Sequence, residues 1–392
     1  MYPDLSYLLH DLIGTPVDNG FSIIKTFGFV LAFAFLAARY VFGKELLRME
    51  KMGWLKPSKE RVRLGYPASA TEVVINAIVG FFIGFKVVYL IGHQQEIGSD
   101  ILPFIASTEG NLLGGIIGGG LFGFLQWYGK QRERLPKPVT KDVDVYPHQR
   151  KTDITIRSAI SGILGAKLFA IFESAENVKA FFQDPVGQFF SGSGLAIYGG
   201  LIVAFFYILW YVRKKGMDPI RVMDAAAPAM IMGYAVGRIG CQLAGDGDWG
   251  IVNTMPEPSW WFLPDWMWAY DFPRNVLNQG IPIEGCEGHY CRRLANPVFP
   301  TPFYEVIASL IIFSILWSLR KRIRIPGMIF FIYVTLNGFE RFWIEKIRVN
   351  DEIPFMGMHP SQAEIISFIL FFLGIIGCWV VYRRYREIKA PQ

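Results

Sequence analysis

The stretch TEVVINAIVGFFIGFKVVYLIG, residues 71–92, is an almost unbroken run of apolar amino acids. A helix of about 20 apolar residues is long enough to cross the ~30 Å hydrocarbon core of a lipid bilayer. Only Glu72 and Lys86 are charged within the run. The stretch therefore predicts a transmembrane helix.

Similar apolar runs recur along the whole chain. Hydrophobic residues make up 52% of the 392 residues and charged residues only 18%, which lies outside the range of soluble globular proteins. The nine predicted spans are residues 21–42, 71–92, 110–128, 158–172, 194–212, 224–244, 303–319, 327–345 and 361–382. This count includes the fourth run, which is short, and the eighth, which ends in charged residues. The sequence predicts an all-α polytopic membrane protein with about nine transmembrane helices, forming one domain over residues 1–392.

Lysine and arginine are distributed unevenly between the connections. Of the 39, 27 follow the odd-numbered spans and six lie in the alternate connections. Because cytoplasmic loops are enriched in Lys and Arg, the N-terminus is expected outside and the C-terminus in the cytoplasm, which requires an odd number of spans. The same distribution argues against nucleic acid as the partner of a chain with net charge +6. The first twenty residues are polar and acidic, so no cleavable signal peptide is expected.

The connection over residues 245–300 is the largest predicted external loop. Its stretch PSWWFLPDWMWAYDF places four tryptophans among prolines. That composition is typical of a partly inserted interfacial lid, or of a folded hairpin with an aromatic core. Cys286 and Cys291 can form a disulfide there, with free thiols as an alternative. A zinc site that includes His289 is a further alternative, although a fourth ligand is missing nearby.

Ionisable residues inside the predicted spans identify the candidate site, because a charge in the bilayer is costly and faces a protein interior or a water-filled cavity. Lys25 and Arg39 lie near span ends, where their side chains can reach the interface. The basic residues deeper in spans are Lys86, Lys167, Arg238 and Arg341.

Several of these charges share the external half of their predicted helices with other polar side chains. Arg341, Glu345 and Arg348 follow each other at i, i+4 and i+7, so they lie on one stripe of a helix, where purely structural pairing is the alternative to function. Tyr304 and Glu305 begin the seventh span. Together these residues predict a cationic cavity that suits an anionic phospholipid headgroup.

The residues around Arg238 carry a resemblance to a known family. The stretch GRIGCQLAGDGDWG, residues 237–250, resembles the signature Gly-Arg-x-Gly-Asn-Phe-x-Asn-x-Glu, followed by glycine, of the prolipoprotein diacylglyceryl transferases. Cys241 and Ala244 replace the two asparagines, and Asp246 replaces the glutamate. The residues it retains are Gly237, Arg238, Gly240 and Gly250.

Three further stretches resemble motifs of the same family. IYGGLIVA is similar to its His-Gly-Gly-Leu stretch, with Tyr198 in the place of the essential histidine before Gly199 and Gly200. GAKLFAIF is similar to a helix of the family that contains a Gly-Arg motif, and Lys167 takes the place of the arginine. FPTPFYEV and ERFWIEKIRVND resemble His-Pro-Ser-Gln-x-Tyr-Glu and Arg-Phe-x-x-Glu-x-x-Arg. The residues retained in these last two are Pro300, Tyr304, Glu305, Arg341, Glu345 and Arg348.

The resemblance implies a membrane enzyme of the bacterial inner membrane. The family moves a diacylglyceryl group from phosphatidylglycerol to the cysteine thiol of a lipoprotein precursor, at its lipobox, and releases glycerol phosphate. No cofactor or metal ion is implied. Because the family commonly has seven spans, residues 71–128 are expected to be an inserted transmembrane hairpin. Within that hairpin GGIIGGG, residues 114–120, predicts close helix packing rather than a phosphate loop.

The resemblance also implies roles for individual residues. Arg238 and Arg341 would hold the phosphate, with Glu345 orienting Arg341. The general base is open: Tyr198 or Asp246 can serve, or none is needed if the cavity lowers the pKa of the substrate thiol. The implied catalytic residues are Arg238, Tyr198, Arg341 and Asp246. The implied substrate-binding residues are Lys167, Gly199, Gly200, Gly237, Cys241, Tyr304, Glu305, Glu345 and Arg348.

Two other interpretations stay open. Tyr198 and Cys241 favour a non-catalytic or retargeted phospholipid-binding member of the family. Cys241 can itself be a nucleophile, or a small packing residue. The charges within spans and the glycine-rich helices are also typical of a transporter, although no inverted repeat with broken helices is evident.

Overall fold

The protein is predominantly helical in a computed structural model that describes residues 1–93, 104–105, 107–190, 196–350 and 359–389. The α-helices are α1 (Leu5–Ile13), α2 (Thr26–Lys51), α3 (Ala70–Gly92), α4 (Leu112–Arg132), α5 (Lys151–Phe172), α6 (Ala175–Gln183), α7 (Pro185–Phe190), α8 (Ile197–Lys214), α9 (Pro219–Ala244), α10 (Thr301–Leu319), α11 (Met328–Glu345) and α12 (Gln362–Lys389). The strands are β1 (Ser58–Leu64), β2 (Val139–Val145), β3 (Ile281–Pro282) and β4 (Arg292–Arg293).

All nine predicted spans coincide with long helices, although the run 194–212 begins two residues outside the described part. Six helical stretches in the described part are long and apolar enough to cross a membrane. They are Thr26–Lys51, Ala70–Gly92, Pro147–Phe172, Ile197–Lys214, Thr301–Leu319 and Gln362–Ile388. Glycines in α4, and charged residues in α9 and α11, make those three helices less apolar. The chain is thus a helical, multi-pass membrane protein, while the count of nine and the orientation stay predictions.

The chain divides into two compact units, and the first comprises Met1–Lys56, Pro147–Thr152 and Met217–Gln392. In this unit α9 packs against α2, α10 and α11, and α11 packs against α12. Fully or nearly buried aliphatic side chains of α9, α10 and α11 form its core, as expected where side chains of packed helices interdigitate. The core residues are Ala227, Ile231, Ile312, Leu316 and Ile329.

Helix α9 has clear local signals at both ends. Asp218 caps its N-terminus with Pro219 in the first turn, and Gly245 ends it in a left-handed conformation with φ of 62°. The buried Asp224 of α9 accepts hydrogen bonds from the backbone N–H groups of Gly327 (2.7 Å) and Phe330 (3.0 Å). This carboxylate caps α11 and so fixes the first turn of α11 against α9.

The segment 245–300 is folded within the first unit. Trp249, Phe272 and Val298 form a small buried cluster, and β3 pairs with β4 in antiparallel register. This matches the predicted alternative of a folded hairpin with an aromatic core. Other aromatic residues of the segment stay at the surface, since the side chain of Phe262 is 88% exposed. An interfacial role for the exposed part stays a prediction.

Cys286 and Cys291 form the disulfide that the sequence favoured. The backbone N–H of Tyr290, between them, donates to the buried Tyr7 hydroxyl at 3.1 Å. The short disulfide loop therefore packs onto α1.

The second unit comprises Pro57–Tyr146 and Asp153–Gly216. Strands β1 and β2 pair antiparallel along their full length, from Ser58 opposite Val145 to Leu64 opposite Val139. Helices α3 and α4 approach so closely that a Cβ atom at Gly84 would lie 2.1 Å from a backbone carbonyl oxygen of α4. The glycine-rich stretch of α4 thus serves helix packing, as predicted.

Candidate functional site

The turn after α9 brings Asp248 between two arginines. Its carboxylate accepts hydrogen bonds from the guanidinium groups of Arg238, on α9, and Arg348, just beyond α11. The hydroxyl of Thr301 donates to the Asp248 backbone carbonyl at 2.6 Å. Gly250 makes this turn possible, because a Cβ atom there would lie 2.4 Å from the backbone oxygen of Ile347. The turn is therefore fixed to both α10 and the end of α11.

Glu305, in the first turn of α10, is the buried centre of the site. Its side chain is fully buried and lies 2.8 Å from Nη1 of Arg341 and 2.7 Å from Nε of Arg238. Nη1 of Arg348 is 3.5 Å away, and the Tyr234 hydroxyl donates to the same carboxylate at 3.0 Å. A single carboxylate therefore contacts three guanidinium groups.

Glu345 forms a second ion pair with Arg341. The Nη2 atom of Arg341 lies 3.2 Å from Oε2 of Glu345, which follows it by one helical turn. Ser361 donates its hydroxyl proton to the same carboxylate at 3.0 Å, and the Asn350 side-chain amide also donates to it. Glu345 is thus fixed by Asn350, which follows α11, and by Ser361, which directly precedes α12.

The ion-pair cluster, defined as Arg238, Asp248, Glu305, Arg341, Glu345 and Arg348, has balanced formal charges. Its carboxylates hold the guanidinium groups in place without using all their N–H donors, since each guanidinium has five. The Arg341 side chain is 24% exposed, against 11% for Arg238 and 8% for Arg348. The Nε atom of Arg348 is buried without a hydrogen-bond partner in the described part of the chain. The cluster can therefore present oriented donors to an anion, with Arg341 the most accessible.

Asp246 and Asp248 lie two residues apart, but their pKa values are shifted in opposite directions. Burial raises the pKa of Asp246, and the neighbouring Asp248 carboxylate raises it further. Burial also acts to raise the pKa of Asp248, but the Arg238 and Arg348 guanidinium groups outweigh it and lower that pKa. Asp246 is therefore the more basic of the two carboxylates once it is ionised.

Cys241 is buried, with its sulfur 3.7 Å from Nη1 of Arg238. Ligand atoms of Cys241, Asp246 and Asp248 lie within 4.8 Å of one another, a spacing that a metal ion could use. A metal ion there would compete with the two guanidinium groups that already contact Asp248. The arrangement is therefore better explained by ion pairing than by a metal centre.

The remaining predicted residues of the first unit differ in their surroundings. An added Cβ atom at Gly237 would meet no other atom within 4 Å, whereas at Gly240 it would lie 3.2 Å from Cβ of Val30 on α2. Gly240 therefore serves helix packing. The Tyr304 hydroxyl donates to the backbone carbonyl of Met267 at 2.9 Å, which links α10 to the segment 245–300.

Lys167, Tyr198, Gly199 and Gly200 belong to the second unit. Lys167 is buried on α5, with Nζ 3.5 Å from the backbone oxygen of Gln188. Gly199 and Gly200 begin α8 and face α5, where Cβ atoms would come within 2.2 Å of the Phe169 side chain and 2.7 Å of a backbone oxygen, respectively. The two glycines thus serve close helix packing.

Sequence reasoning did not place Asp248 or Tyr234 in the site. Asp248 is a second acid in the stretch that resembles the family signature, but the position of the family glutamate corresponds to Asp246. Tyr234 precedes Arg238 by four residues, so helical periodicity offered a signal for it. Ser361 and Thr301 reach the site through tertiary folding and gave no signal in the sequence.

Comparison with known proteins agrees with the geometry. The profile of the family described as prolipoprotein diacylglyceryl transferase matches residues 137–380. The chain belongs to this family. The family match includes every residue of the ion-pair cluster, whereas α2, α3 and α4 lie outside it.

Several relatives are named phosphatidylglycerol–prolipoprotein diacylglyceryl transferase. One from Leptospira interrogans is 29% identical, over 54% of this chain and 73% of its own. One from Dehalococcoides mccartyi is 27% identical, over 59% and 76%. One from Streptococcus uberis is 29% identical, over 57% and 74%. The chain is thus a divergent prolipoprotein diacylglyceryl transferase family member.

Proposed function

We propose that the protein transfers a diacylglyceryl group from phosphatidylglycerol to the cysteine thiol of lipoprotein precursors. Family membership and the names of the relatives support this activity. The observation that carries it is the ion-pair cluster, in which three carboxylates, two of them buried, orient three arginines. Oriented guanidinium groups are well suited to a phosphate that gains charge as it leaves.

The arginines and the carboxylates of the cluster have different roles in the transfer. The thiolate sulfur of the precursor forms a bond to the terminal glyceryl carbon while the bond between that carbon and the phosphate oxygen breaks. The electron pair leaves with glycerol phosphate, so negative charge grows on the phosphate. Arg341 and Arg238 bind that phosphate, while Glu305 and Glu345 keep their guanidinium groups from rotating away.

The thiol proton needs an acceptor before or during attack, since an ordinary thiol of pKa ~8.5 is mostly protonated at neutral pH. Asp246 is one candidate, because its raised pKa makes it a stronger base than an ordinary aspartate. Tyr198 is the second candidate, and ionisation of the thiol in the field of the arginines is the third. A pH–rate profile that is unchanged in Tyr198→Phe would reject Tyr198 as the base.

We propose that the protein crosses the bacterial inner membrane nine times, with the N-terminus outside and the C-terminus in the cytoplasm. The distribution of Lys and Arg supports this orientation. The pair α3 and α4 is proposed to be an inserted hairpin, which its position outside the family match supports. Thiol-labelling reagents that do not cross membranes, applied to single cysteines in each connection, test the topology.

The surface of the segment 245–300 is proposed to rest at the membrane interface as a lid. Trp260 and Phe262 support this placement, because their side chains are 69% and 88% exposed. Large exposed aromatic residues are common where proteins meet the interfacial layer of a bilayer. Quenching of tryptophan fluorescence by brominated lipids, compared between the wild-type protein and Trp260→Ser, tests it: the quenched part of the signal should decrease in the variant.

The transfer itself is tested with purified protein, phosphatidylglycerol and a lipobox peptide that contains one cysteine. The expected result is a peptide mass gain of one diacylglyceryl unit and an equal amount of glycerol phosphate. Phosphatidylethanolamine with the same acyl chains serves as the control for the headgroup. Lipid binding without mass gain, next to an active enzyme of the family, would favour a retargeted or non-catalytic member instead.

A further inference from the structure

A second group of arginines lies at the opposite end of α9 and α10 from the ion-pair cluster. Arg221 is in the first turn of α9, and Arg320 directly follows the last residue of α10. Along α9, Arg221 is separated from Arg238 by about five helical turns, or about 26 Å. The second arginine cluster is defined as Glu45, Arg48, Trp54, Arg221 and Arg320.

Glu45 is the carboxylate at the centre of the second arginine cluster, and it is fully buried on α2. One of its oxygens accepts a hydrogen bond from Nη1 of Arg320. The other oxygen accepts hydrogen bonds from Nε and Nη2 of Arg48, at 3.0 and 2.9 Å. Two guanidinium groups therefore share a single negative charge, whereas the ion-pair cluster has one carboxylate for each arginine.

Arg221 is half-buried and belongs to no ion pair in the described part of the chain. Its Cζ atom lies 4.2 Å from the centre of the Trp54 ring, and its Nη1 atom donates to the backbone oxygen of Arg324 at 3.1 Å. Asp218 and Asp224 attract it from a greater distance, but their carboxylates cap α9 and α11. Arg221 therefore lacks the carboxylate contact that holds the other two arginines of this cluster.

The position of Arg221 is unfavourable for an isolated positive charge. The first turn of a helix is the positive end of the helix dipole. Arg48 repels Arg221, and the Cζ atoms of the two residues lie 5.4 and 4.2 Å from the centre of the same Trp54 ring. Arginine keeps its charge in proteins, and a half-buried charge without a counterion is costly. An anion beside Arg48 and Arg221 would remove this cost.

The predicted spans place the second arginine cluster at the level of lipid headgroups. Arg320 directly follows the span 303–319, and Arg221 precedes the span 224–244 by less than one turn. Both residues thus lie within about 5 Å of the hydrocarbon edge, and the headgroup layer is about 5–7 Å thick on each side. Tryptophan, here Trp54, is enriched at this level of a membrane. The proposed orientation puts this end of the helices on the cytoplasmic side.

We propose that Arg48 and Arg221 bind the phosphate of an anionic phospholipid in the cytoplasmic leaflet. Guanidinium groups donate paired hydrogen bonds to phosphate oxygens, and the anionic lipids of this leaflet attract basic residues near the surface. A phosphate bound here lies too far from Arg238 to be the one that leaves during transfer. The site is therefore separate from that of the lipid donor, and the bound lipid joins the end of α2 to the start of α9.

Photolabelling locates the bound lipid without using transfer as the readout. Protein in phosphatidylcholine nanodiscs receives a trace of phosphatidylglycerol with a diazirine next to its headgroup, and the labelled peptides are mapped by mass spectrometry. We expect labelling around Trp54, which unlabelled phosphatidylglycerol and phosphatidylserine should prevent. Phosphatidylethanolamine, which has no net charge, and inorganic phosphate, which has no acyl chains, should leave the labelling in place.

Substitutions separate a specific site from a general attraction to positive charge. Arg221→Gln should reduce labelling around Trp54 about tenfold, as expected for the loss of a hydrogen bond between charged groups. Arg221→Lys keeps the charge and should retain most of the labelling. Arg383→Gln is the control and should change it little, because Arg383 is an exposed arginine that directly follows the predicted span 361–382. Arg238→Ala should leave this labelling unchanged, since the donor site is elsewhere.

Several results would overturn the inference. Equal competition by phosphatidylethanolamine in the wild-type protein would exclude a site for a net negative charge. Competition by inorganic phosphate would assign the site to a soluble anion. Equal losses in Arg221→Gln and Arg383→Gln would show a general attraction of anionic lipid to the basic surface. Labelling around Trp54 in a protein without transferase activity would contradict the proposed function and keep this lipid site.

Discussion

The two units hold motif residues of different kinds. In the first unit the retained charged residues contact one another, with Glu305 in contact with Arg238, Arg341 and Arg348. In the second unit the retained Gly199 and Gly200 pack helices closely. The exchanges of the family histidine and arginine, to Tyr198 and Lys167, also lie in the second unit.

A motif residue can thus be retained for either of two physical reasons. A guanidinium group in the ion-pair cluster is tied to carboxylates on other elements, so that changing one charge leaves another buried and unpaired. A glycine in a helix contact is retained because the neighbouring helix leaves no room for a Cβ atom. The first kind of residue should control both turnover and stability, and the second kind should control stability alone.

The largest effect is expected for Glu305→Gln. Removing this buried charge leaves three guanidinium groups facing each other, so the free energy of unfolding should fall by about 3–5 kcal/mol and activity should be lost. Thermal unfolding in detergent, together with the transfer assay, measures both. Glu387→Gln removes the acid of an exposed pair with Arg383 and should change neither. Normal stability of Glu305→Gln would mean that the cluster is not the buried centre of the first unit.

Arg341→Lys should lower turnover about 100-fold while the protein stays folded. Lysine keeps the charge but cannot contact Glu305, Glu345 and a phosphate with the planar geometry of arginine. Initial rates of glycerol phosphate release at saturating phosphatidylglycerol measure the effect. The matched control is Arg383→Lys on the exposed face of α12. A wild-type rate for Arg341→Lys would remove this arginine from the phosphate site.

Gly199→Ala should reduce stability by about 1–3 kcal/mol, because its Cβ atom would overlap with the Phe169 side chain. Gly237→Ala is the matched variant in the first unit, where an added Cβ atom meets open space. Since alanine is the better helix former, Gly237→Ala should be neutral or more stable by up to about 1 kcal/mol. The two melting temperatures test this contrast, and equal shifts would show that the α5–α8 contact is not tight.

The smallest effects concern the two aspartates. The lowered pKa of Asp248 gives stability that is present above its unfolded value of about 3.9 and is lost as the pH falls. The raised pKa of Asp246 has the opposite sign, so its contribution is lost as the pH rises through the folded-state pKa. At neutral pH Asp248→Asn should therefore destabilise, and Asp246→Asn should stabilise, each by about 1 kcal/mol or less.

Melting temperatures of the two variants at pH 7 and pH 4 measure these contributions. Both differences from the wild-type protein should shrink towards pH 4. A stabilising effect of Asp248→Asn at pH 7 would contradict its pairing with the two arginines.

Much of the helical structure could be predicted from the sequence, and less of the site. The apolar runs located the nine long helices of the described residues, because the length of an apolar run is a local property of the sequence. The apolar run predicts a start of α2 at residue 21, whereas the helix begins at Thr26, because Gly20–Ile23 forms a short 3₁₀ turn and Lys25 is the N-cap residue. The spacing of Arg341 and Glu345 correctly indicated their ion pair. The contacts of Glu305 with Arg238, and of Asp248 with Arg348, join distant parts of the chain and have no local signal.

The assignment of the reaction to the ion-pair cluster is tested by comparing transfer by the wild-type protein, Arg238→Ala and Arg157→Ala. Arg157 is an arginine of the second unit that is paired with Asp153 on its own helix. Each protein is incubated with phosphatidylglycerol and the lipobox peptide, and peptide mass and glycerol phosphate are followed. We expect mass gain for the wild-type protein and Arg157→Ala, and loss of at least about 100-fold in rate for folded Arg238→Ala. Equal rates for Arg238→Ala and the wild-type protein would contradict the assignment of the reaction to the ion-pair cluster.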